Sequence, residues 1–164
     1  MCLITYSPKG PEILDWEVLD YSRKHMNDDG FGIAWYDWTK EVWKTSRSMR
    51  SHKLFDAVSR LVPSEAPVII HQRFRTHGSV SMDNVHPFPI GATGSVLFHN
   101  GSISGTRADY KGARLSDTRA YIEDELAPIL EASGTHILLK EKVQDAIGAR
   151  IGGSVLAITI PGDP

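Results

Sequence analysis

The stretch that most constrains the fold is residues 68–74, Val-Ile-Ile-His-Gln-Arg-Phe. Its β-branched residues predict a buried strand, and the turn-forming residues 76–78, Thr-His-Gly, end it. Arg73 lies inside this apolar run, where a guanidinium needs a partner. Arginine binds a carboxylate through two parallel hydrogen bonds, so either an internal salt bridge or a bound carboxylate would satisfy Arg73.

The remaining apolar pattern predicts strands and helices that do not alternate strictly. Strands are predicted at 3–7, 31–36, 41–44, 95–99 and 154–160, and helices at 13–24, 54–61, 116–130 and 140–149, with an irregular loop at 79–94. A parallel sheet would require regular β-α-β alternation. The pattern therefore predicts an α+β fold, with residues 1–164 forming one domain.

Composition excludes several classes of function. At 164 residues and 41% hydrophobic content, the chain is long enough for one sizeable core. A net charge of -2 gives no electrostatic reason to expect nucleic acid, and 47–53 is the only locally basic stretch. No run approaches the roughly 18–20 apolar residues that span a bilayer. The single cysteine excludes a disulfide framework, which predicts a cytoplasmic protein.

That single cysteine, Cys2, directly follows the initiator Met1. If Met1 is removed, Cys2 carries both a thiol and a free α-amine. A free thiol titrates near pH ~8.5 and an α-amine near ~7.7–8.0, so the amine can serve as the base for the thiol at neutral pH. This is a nucleophile with its own adjacent base. The alternative is a small buried residue near the chain start.

Three further stretches have a structural and a chemical interpretation. Asn100-Gly101 follows a strand and is either a hairpin turn or a pair of hydrogen-bond donors for an oxyanion. The stretch 116–118, Ser-Asp-Thr, is either a helix cap, through Ser116 or Asp117, or an anchor for a ligand ammonium. The proline-stiffened stretch 84–88 is expected to shape the wall of a pocket.

Taken together, these motifs resemble those of the class II glutamine amidotransferases, which are N-terminal nucleophile hydrolases. The resemblance covers residues 2 to about 125 and is closest to the small stand-alone members. The matching segments occur in the family's order: Cys2, 27–35 (NDDGFGIAW), 71–78 (HQRFRTHG), 84–88 (NVHPF), 98–101 (FHNG) and 116–118 (SDT).

The resemblance implies a four-layer αββα sandwich, in which two antiparallel sheets lie between helix layers. It also implies that Cys2 attacks the side-chain carboxamide of glutamine, with its own amine as proton shuttle. The Asn100 side chain and the Gly101 N–H would form the oxyanion hole. No cofactor or metal is implied, and the reaction is amide hydrolysis that releases ammonia.

The substrate-binding residues implied by the resemblance fit the two charges of glutamine. Arg73 would hold its α-carboxylate and Asp117 its α-ammonium, while Thr76 and His77 would complete the rim of the pocket. The substrate is expected to be L-glutamine or a γ-glutamyl amide.

The sequence departs from the family in two places. Larger members carry an arginine in the first glycine-rich motif, where this chain has 27–29, Asn-Asp-Asp, so the support of the Cys2 region is an open question. The chain also ends soon after Ile160, which predicts a shortened second sheet with an exposed edge. An ammonia-accepting synthetase subunit or a second copy of the chain would cover that edge.

Two other functions are alternatives to amide hydrolysis. A metal centre would use His71, His77, His86 and His99, but their spacing matches no standard zinc pattern. A non-catalytic relative would bind glutamine without turnover, and the intact Cys2 argues against that interpretation.

Overall fold

The computed structural model describes residues 1–76, 78–110 and 112–164. Its strands are β1 (Leu3–Ser7), β2 (Phe31–Asp37), β3 (Val42–Ser48), β4 (Val68–Gln72), β5 (Phe88–Pro89), β6 (Val96–Asn100) and β7 (Val155–Ile158). Its α-helices are α1 (Trp16–His25), α2 (Leu54–Leu61), α3 (Asp117–Tyr121), α4 (Ala127–Ser133) and α5 (Glu141–Ile151). A π-helical segment, Ile122–Leu126, joins α3 to α4.

The first sheet has the strand order β1-β4-β2-β3, and all its pairs are antiparallel. The strand predicted at 68–74 is β4, one of the two inner strands, which ends at Gln72 and whose five residues are all buried. Gln72 is the last residue of β4 and pairs with Leu3 on one side and Phe31 on the other. Arg73 therefore lies just beyond the strand, next to the chain start.

The second sheet has the order β5-β6-β7 and is also antiparallel. Leu97 of β6 pairs with Phe88 on one side and with Ile158 on the other. Asn100, the last residue of β6, pairs with Val155 of β7, and Gly101 follows directly after the strand.

Each sheet buries one face under helices. Helices α1 and α2 cover the first sheet, where Leu19, Leu54 and Val58 pack in one cluster with Ile33 and Ile70. The helical segment from α3 to α4, together with α5, covers the second sheet. The members of that second cluster include Leu97, Tyr121, Leu126, Leu130 and Ile151.

The opposite faces of the two sheets pack against each other. Ala34 of β2, Ile69 of β4 and Phe98 of β6 form the buried cluster between them. Because side chains alternate along a strand, Ile33 and Ile70 face the helices while their neighbours Ala34 and Ile69 face the other sheet. The predicted four-layer αββα sandwich is confirmed.

Several predicted boundaries differ from those observed. Strand β3 continues to Ser48, four residues past the predicted end, because backbone pairing with β2 continues although the side chains turn polar. The segment 79–94 contains a short helical turn, Met82–Asn84, and strand β5, so it is not wholly irregular. Strand β7 spans Val155–Ile158 and is shorter than predicted.

In the described part of the chain, no helix has the length and apolar character required to cross a membrane.

Candidate active site

A small cavity of about 20 Å³ lies where the start of β1, the end of β4, the end of β6 and the start of α3 meet. Its described lining residues are Cys2, Arg73, Phe74, Thr76, Asn84, His86, His99, Gly101, Ser116, Asp117 and Thr118. Five of the seven residues predicted to form the site are thus brought together. Elements far apart in sequence supply them, as an enzyme site requires.

The sulfur of Cys2 is held against the backbone of Phe74. Sγ lies 3.4 Å from the Phe74 nitrogen, whose N–H donates to it, and 3.4 Å from the Phe74 carbonyl oxygen, to which the thiol donates. Burial raises the pKa of the Cys2 thiol above its ordinary value, and the Phe74 hydrogen bond and the charge of Arg73 oppose this only in part. With Met1 in place, the structure therefore favours the neutral thiol.

Arg73 is buried, with 3% of its surface exposed. Its backbone N–H donates to the Gly30 carbonyl at 2.9 Å, and its carbonyl accepts from the Asp29 N–H at 3.2 Å. Its guanidinium donates to the Ser79 carbonyl at 3.0 Å. Burial lowers the pKa of Arg73, whereas Asp29 and Cys2 act in the opposite direction. Burying a guanidinium is costly unless polar partners compensate, and the Ser79 carbonyl is one such partner.

Asn100 and Gly101 are placed differently from each other. Gly101 lines the cavity at a φ of 141°, a conformation that side-chain-bearing residues rarely adopt. A Cβ added there would lie 2.2 Å from Ser154 Oγ, so glycine is required. Asn100 precedes it and is not among the lining residues, but its buried Oδ1 makes no hydrogen bond to the described residues.

Asp117 is the first residue of α3 and is buried. Its carboxylate accepts hydrogen bonds from the backbone N–H of Ile103 at 2.7 Å and of Thr118 at 2.9 Å. Ser116 caps the helix, because its hydroxyl accepts from the Arg119 N–H at 3.3 Å. Because Ser116 serves as the helix cap, Asp117 is not needed for capping, and it lines the cavity.

Thr76 lies at the boundary between two cavities. It lines the Cys2 cavity and also an open cavity of about 780 Å³, bounded by described residues between Arg75 and Arg114. The other residue predicted for the rim, His77, lies outside the described residues.

Asn84 is a lining residue to which the sequence assigned no specific role. Its amide nitrogen donates to the carbonyls of Ser79 at 3.0 Å and Arg114 at 2.7 Å, and its oxygen accepts from the Ser116 N–H at 2.9 Å. Since Ser79 also accepts from Arg73, Asn84 links the guanidinium to the cap of α3. The sequence predicted a pocket wall at 84–88 only through Pro87, which stiffens this stretch.

Three buried histidines cluster at the cavity, where His86 and His99 line it and His71 packs against His86. The rings of His71 and His86 are 4.2 Å apart, and His71 Nε2 lies 3.1 Å from the His99 carbonyl oxygen. His99 Nδ1 lies 2.8 Å from Thr118 Oγ1. Burial lowers the pKa of His71 to about 3 and that of His86 well below 6.5. Both imidazoles are neutral at neutral pH. No three metal-ligating side chains among the described residues are arranged to hold a metal ion.

Asn27, the first residue of the stretch 27–29, supports the chain start. It is 2% exposed, and its amide nitrogen donates to the carbonyls of Met1 at 3.0 Å and Gln72 at 3.1 Å. A neutral amide therefore ties the first residue to the end of β4.

The profile of the family described as glutamine amidotransferases class-II matches residues 11–120. Because this match covers more than half of the chain, the protein belongs to the class II glutamine amidotransferases. The match includes Arg73, Asn100, Gly101 and Asp117 and begins after Cys2. No individual curated protein is similar enough to count as a match.

Proposed function

We propose that the protein hydrolyses the side-chain carboxamide of L-glutamine, with the thiol of Cys2 as the N-terminal nucleophile once Met1 is removed. The observation that carries this proposal is the shared cavity of Cys2, Arg73, Gly101 and Asp117. It brings together a nucleophile, an oxyanion donor and one side chain for each charge of a glutamine zwitterion. Met1 is 81% exposed, so its removal leaves the core intact.

In the first half of the reaction, the α-amine of Cys2 takes the thiol proton and the sulfur forms a bond to the amide carbon. The carbonyl π electrons move to oxygen, where the Asn100 side chain and the Gly101 N–H stabilise the oxyanion. One such donor is typically worth about 2.7–4 kcal/mol of barrier. The C–N bond then breaks, and ammonia leaves with the proton that the amine held.

In the second half, water attacks the Cys2 thioester while the amine accepts its proton. The C–S bond breaks, the thiol regains its proton, and glutamate leaves. Arg73 holds the α-carboxylate and Asp117 the α-ammonium throughout. Thr76 and His77 complete the rim. These steps consume one water and one amide and require no cofactor or metal.

Ammonia release from L-glutamine by the Met1-processed protein tests this proposal. We expect turnover in the wild type and none in Cys2→Ala. Cys2→Ser serves as a second control, because it keeps the amine and a weaker nucleophile. Absence of ammonia release by processed, folded wild type would contradict the proposal. Glutamine binding without turnover would instead support a non-catalytic relative.

A γ-glutamyl amide with a larger leaving amine is the second candidate substrate. The open cavity of about 780 Å³ that meets the Cys2 cavity at Thr76 favours it, because ammonia alone would leave this space unused. The chemistry at Cys2 is unchanged, and an amine replaces ammonia as the leaving group. Comparing kcat/KM for L-glutamine with that for γ-glutamyl-p-nitroanilide and γ-glutamyl dipeptides distinguishes the two.

We further propose that the protein acts in the cytoplasm and associates through the edge of the second sheet, with a synthetase subunit or a second copy. A cavity of about 270 Å³ beside this edge is lined mainly by apolar residues, among them Trp43, Ile69, Ile158 and Ile160. Sedimentation at low micromolar concentration tests self-association. A monomer that turns over a γ-glutamyl amide at full rate without a partner would contradict the association.

A further inference from the structure

The side-chain amide of Asn27 lies between the chain start and the end of β4, where its nitrogen donates two hydrogen bonds to described residues. Both partners, the carbonyls of Met1 and Gln72, are acceptors without a proton to donate. The amide oxygen would repel either carbonyl, so these two contacts fix the orientation of the amide. The Asn27 backbone N–H also donates to the Ser22 carbonyl at 2.7 Å, which holds the residue at the end of α1.

Removal of Met1 changes what one of these two N–H groups faces. The Met1 carbonyl and the Cys2 nitrogen belong to the same peptide group, so the carbonyl leaves and the nitrogen remains as an α-amine. The pairing of Leu3 with Gln72 holds the chain start beside β4. The contact with Gln72 keeps one Asn27 N–H engaged, and the other, which donates to the Met1 carbonyl, loses that acceptor beside the new amine.

We propose that, in the processed protein, Asn27 donates a hydrogen bond to the neutral α-amine of Cys2 and thereby keeps this amine in its basic form. Only a neutral amine has the lone pair to accept that bond, and hydrogen bonding to a neutral form disfavours the charged one. This inference rests on the proposed function, because it gives the amine its role as base. Asn27 is a positioning residue and does not contact the substrate.

Other charges act on the same corner of the molecule. Arg73 lies close enough to influence Cys2, and its positive charge also favours the neutral amine. Asp117 acts in the opposite direction. Asp29 acts on the neighbouring Arg73, and its carboxylate accepts from the Arg75 N–H at 2.8 Å. A family-type arginine in place of Asn27 would favour the neutral amine through charge, whereas Asn27 does so through one oriented donor.

Direct titration of the α-amine tests the inference. We use processed Cys2→Ser protein, in which the amine remains and no thiol competes for the reagent. The pH dependence of amine acylation, read by mass spectrometry of the N-terminal peptide, gives the pKa of the amine. We expect it to lie below that of the same protein unfolded in urea, whose reference is about 7.7–8.0. A folded value at or above the unfolded one would overturn the inference.

Two substitutions distinguish the effect of Asn27 on the amine pKa from the effect of the neighbouring charges. Asn27→Ala should move the amine pKa upward toward the unfolded value, and Asn27→Asp should move it higher still, because a carboxylate stabilises the ammonium. The exposed Asp28→Asn is the control and should cause no shift. Lowered melting temperatures with an unchanged amine pKa in both variants would show a merely structural role.

The pH dependence of glutamine hydrolysis also reports on the pKa of the Cys2 α-amine. In active protein, Asn27→Asp should shift the acidic limb of the kcat/KM profile to higher pH. If processed wild type releases no ammonia, the proposed function fails, but the amine titration still decides the role of Asn27. If ammonia is released and Asn27→Asp leaves both the amine pKa and the acidic limb unchanged, only the role of Asn27 fails.

Discussion

The sulfur of Cys2 lies 3.4 Å from both the backbone nitrogen and the carbonyl oxygen of Phe74. Phe74 follows Arg73 directly, so one short segment after β4 contacts the Cys2 sulfur and carries the Arg73 guanidinium, the proposed nucleophile and the proposed carboxylate anchor. The position of the thiol is therefore coupled to that of the guanidinium through a single peptide link.

The first prediction concerns the reactivity of this thiol while Met1 is retained. Because burial raises the Cys2 pKa, the thiolate fraction at pH 7 is smaller than in a free cysteine. We expect alkylation by iodoacetamide to be slow at pH 7 and to rise with a midpoint above about 8.5. Cys2 is the only cysteine, so all labelling reports on it. Faster labelling than that of a free cysteine peptide at pH 7 would contradict this prediction.

The second prediction concerns Arg73 as the carboxylate anchor. Hydrogen bonds to charged groups contribute about 1.5–3 kcal/mol, so Arg73→Ala should raise KM for L-glutamine by roughly 10- to 100-fold. The contact is made in ground and transition states alike, so kcat should change little. Arg75→Ala is the matched control, because Arg75 is exposed and does not line the Cys2 cavity. A fall in kcat at constant KM would argue against the anchor role.

Local sequence patterns predicted most of the strands and helices, whereas their arrangement in four layers was implied by the family resemblance. The apolar run at 68–74 becomes β4, and the strands around it alternate between a helix-facing and a sheet-facing side. The polar second half of β3 was missed, since an exposed strand can be defined by backbone pairing with β2 rather than by apolar residues.

Only the residues of the candidate site that belong to recognisable sequence motifs could be predicted. Cys2, Arg73 and Asp117 were named from their types and order, and the structure brings them to one cavity. The contact of Asn27 with Met1 joins residues 26 positions apart, and no periodicity encodes such a contact. The contact between the rings of His71 and His86 was not predictable either, because it forms only where the loop before β5 crosses the first sheet.

The third prediction concerns the close approach of the loop that carries His86 to Gly32 of β2. A Cβ added to Gly32 would lie 1.7 Å from the His86 carbonyl oxygen and 2.7 Å from its carbonyl carbon. Both are backbone atoms, so no side-chain rotation relieves the clash. We expect Gly32→Ala to displace the loop that carries His86 and to cost more than about 3 kcal/mol of unfolding free energy, as severe overpacking does.

Gly148→Ala is the matched control for Gly32→Ala. Gly148 lies inside α5, and an added Cβ meets nothing within 4 Å. Alanine is the better helix former, so this variant should gain about 0.5–1 kcal/mol of unfolding free energy. Urea denaturation of the two variants beside the wild type measures both effects. Equal stability of the two variants would show that the loop is free to move away from β2.

The last prediction follows from the buried histidines. Folding holds the pKa of His71 at about 3 and that of His86 well below 6.5, whereas in the unfolded chain both bind a proton below about pH 6.5. The unfolded state thus binds more protons than the native state as the pH falls below that value. Stability contributed by the neutral histidines is complete above pH 6.5 and declines as the pH falls toward about 3. Each histidine adds a limiting slope of about 1.4 kcal/mol per pH unit.

Urea unfolding between pH 7.5 and 4.5 measures this slope directly. His71→Phe and His86→Phe should each make it shallower, while replacement of the exposed His52 by alanine should leave it unchanged. At pH 7.5 the two phenylalanine variants should differ. His71→Phe removes the contact with the His99 carbonyl and should cost about 1–3 kcal/mol through that loss. The ring nitrogens of His86 have no hydrogen-bond partner among the described residues, so His86→Phe loses no such contact there. A pH slope that stays the same in both phenylalanine variants would show that other groups control the acid sensitivity of the fold.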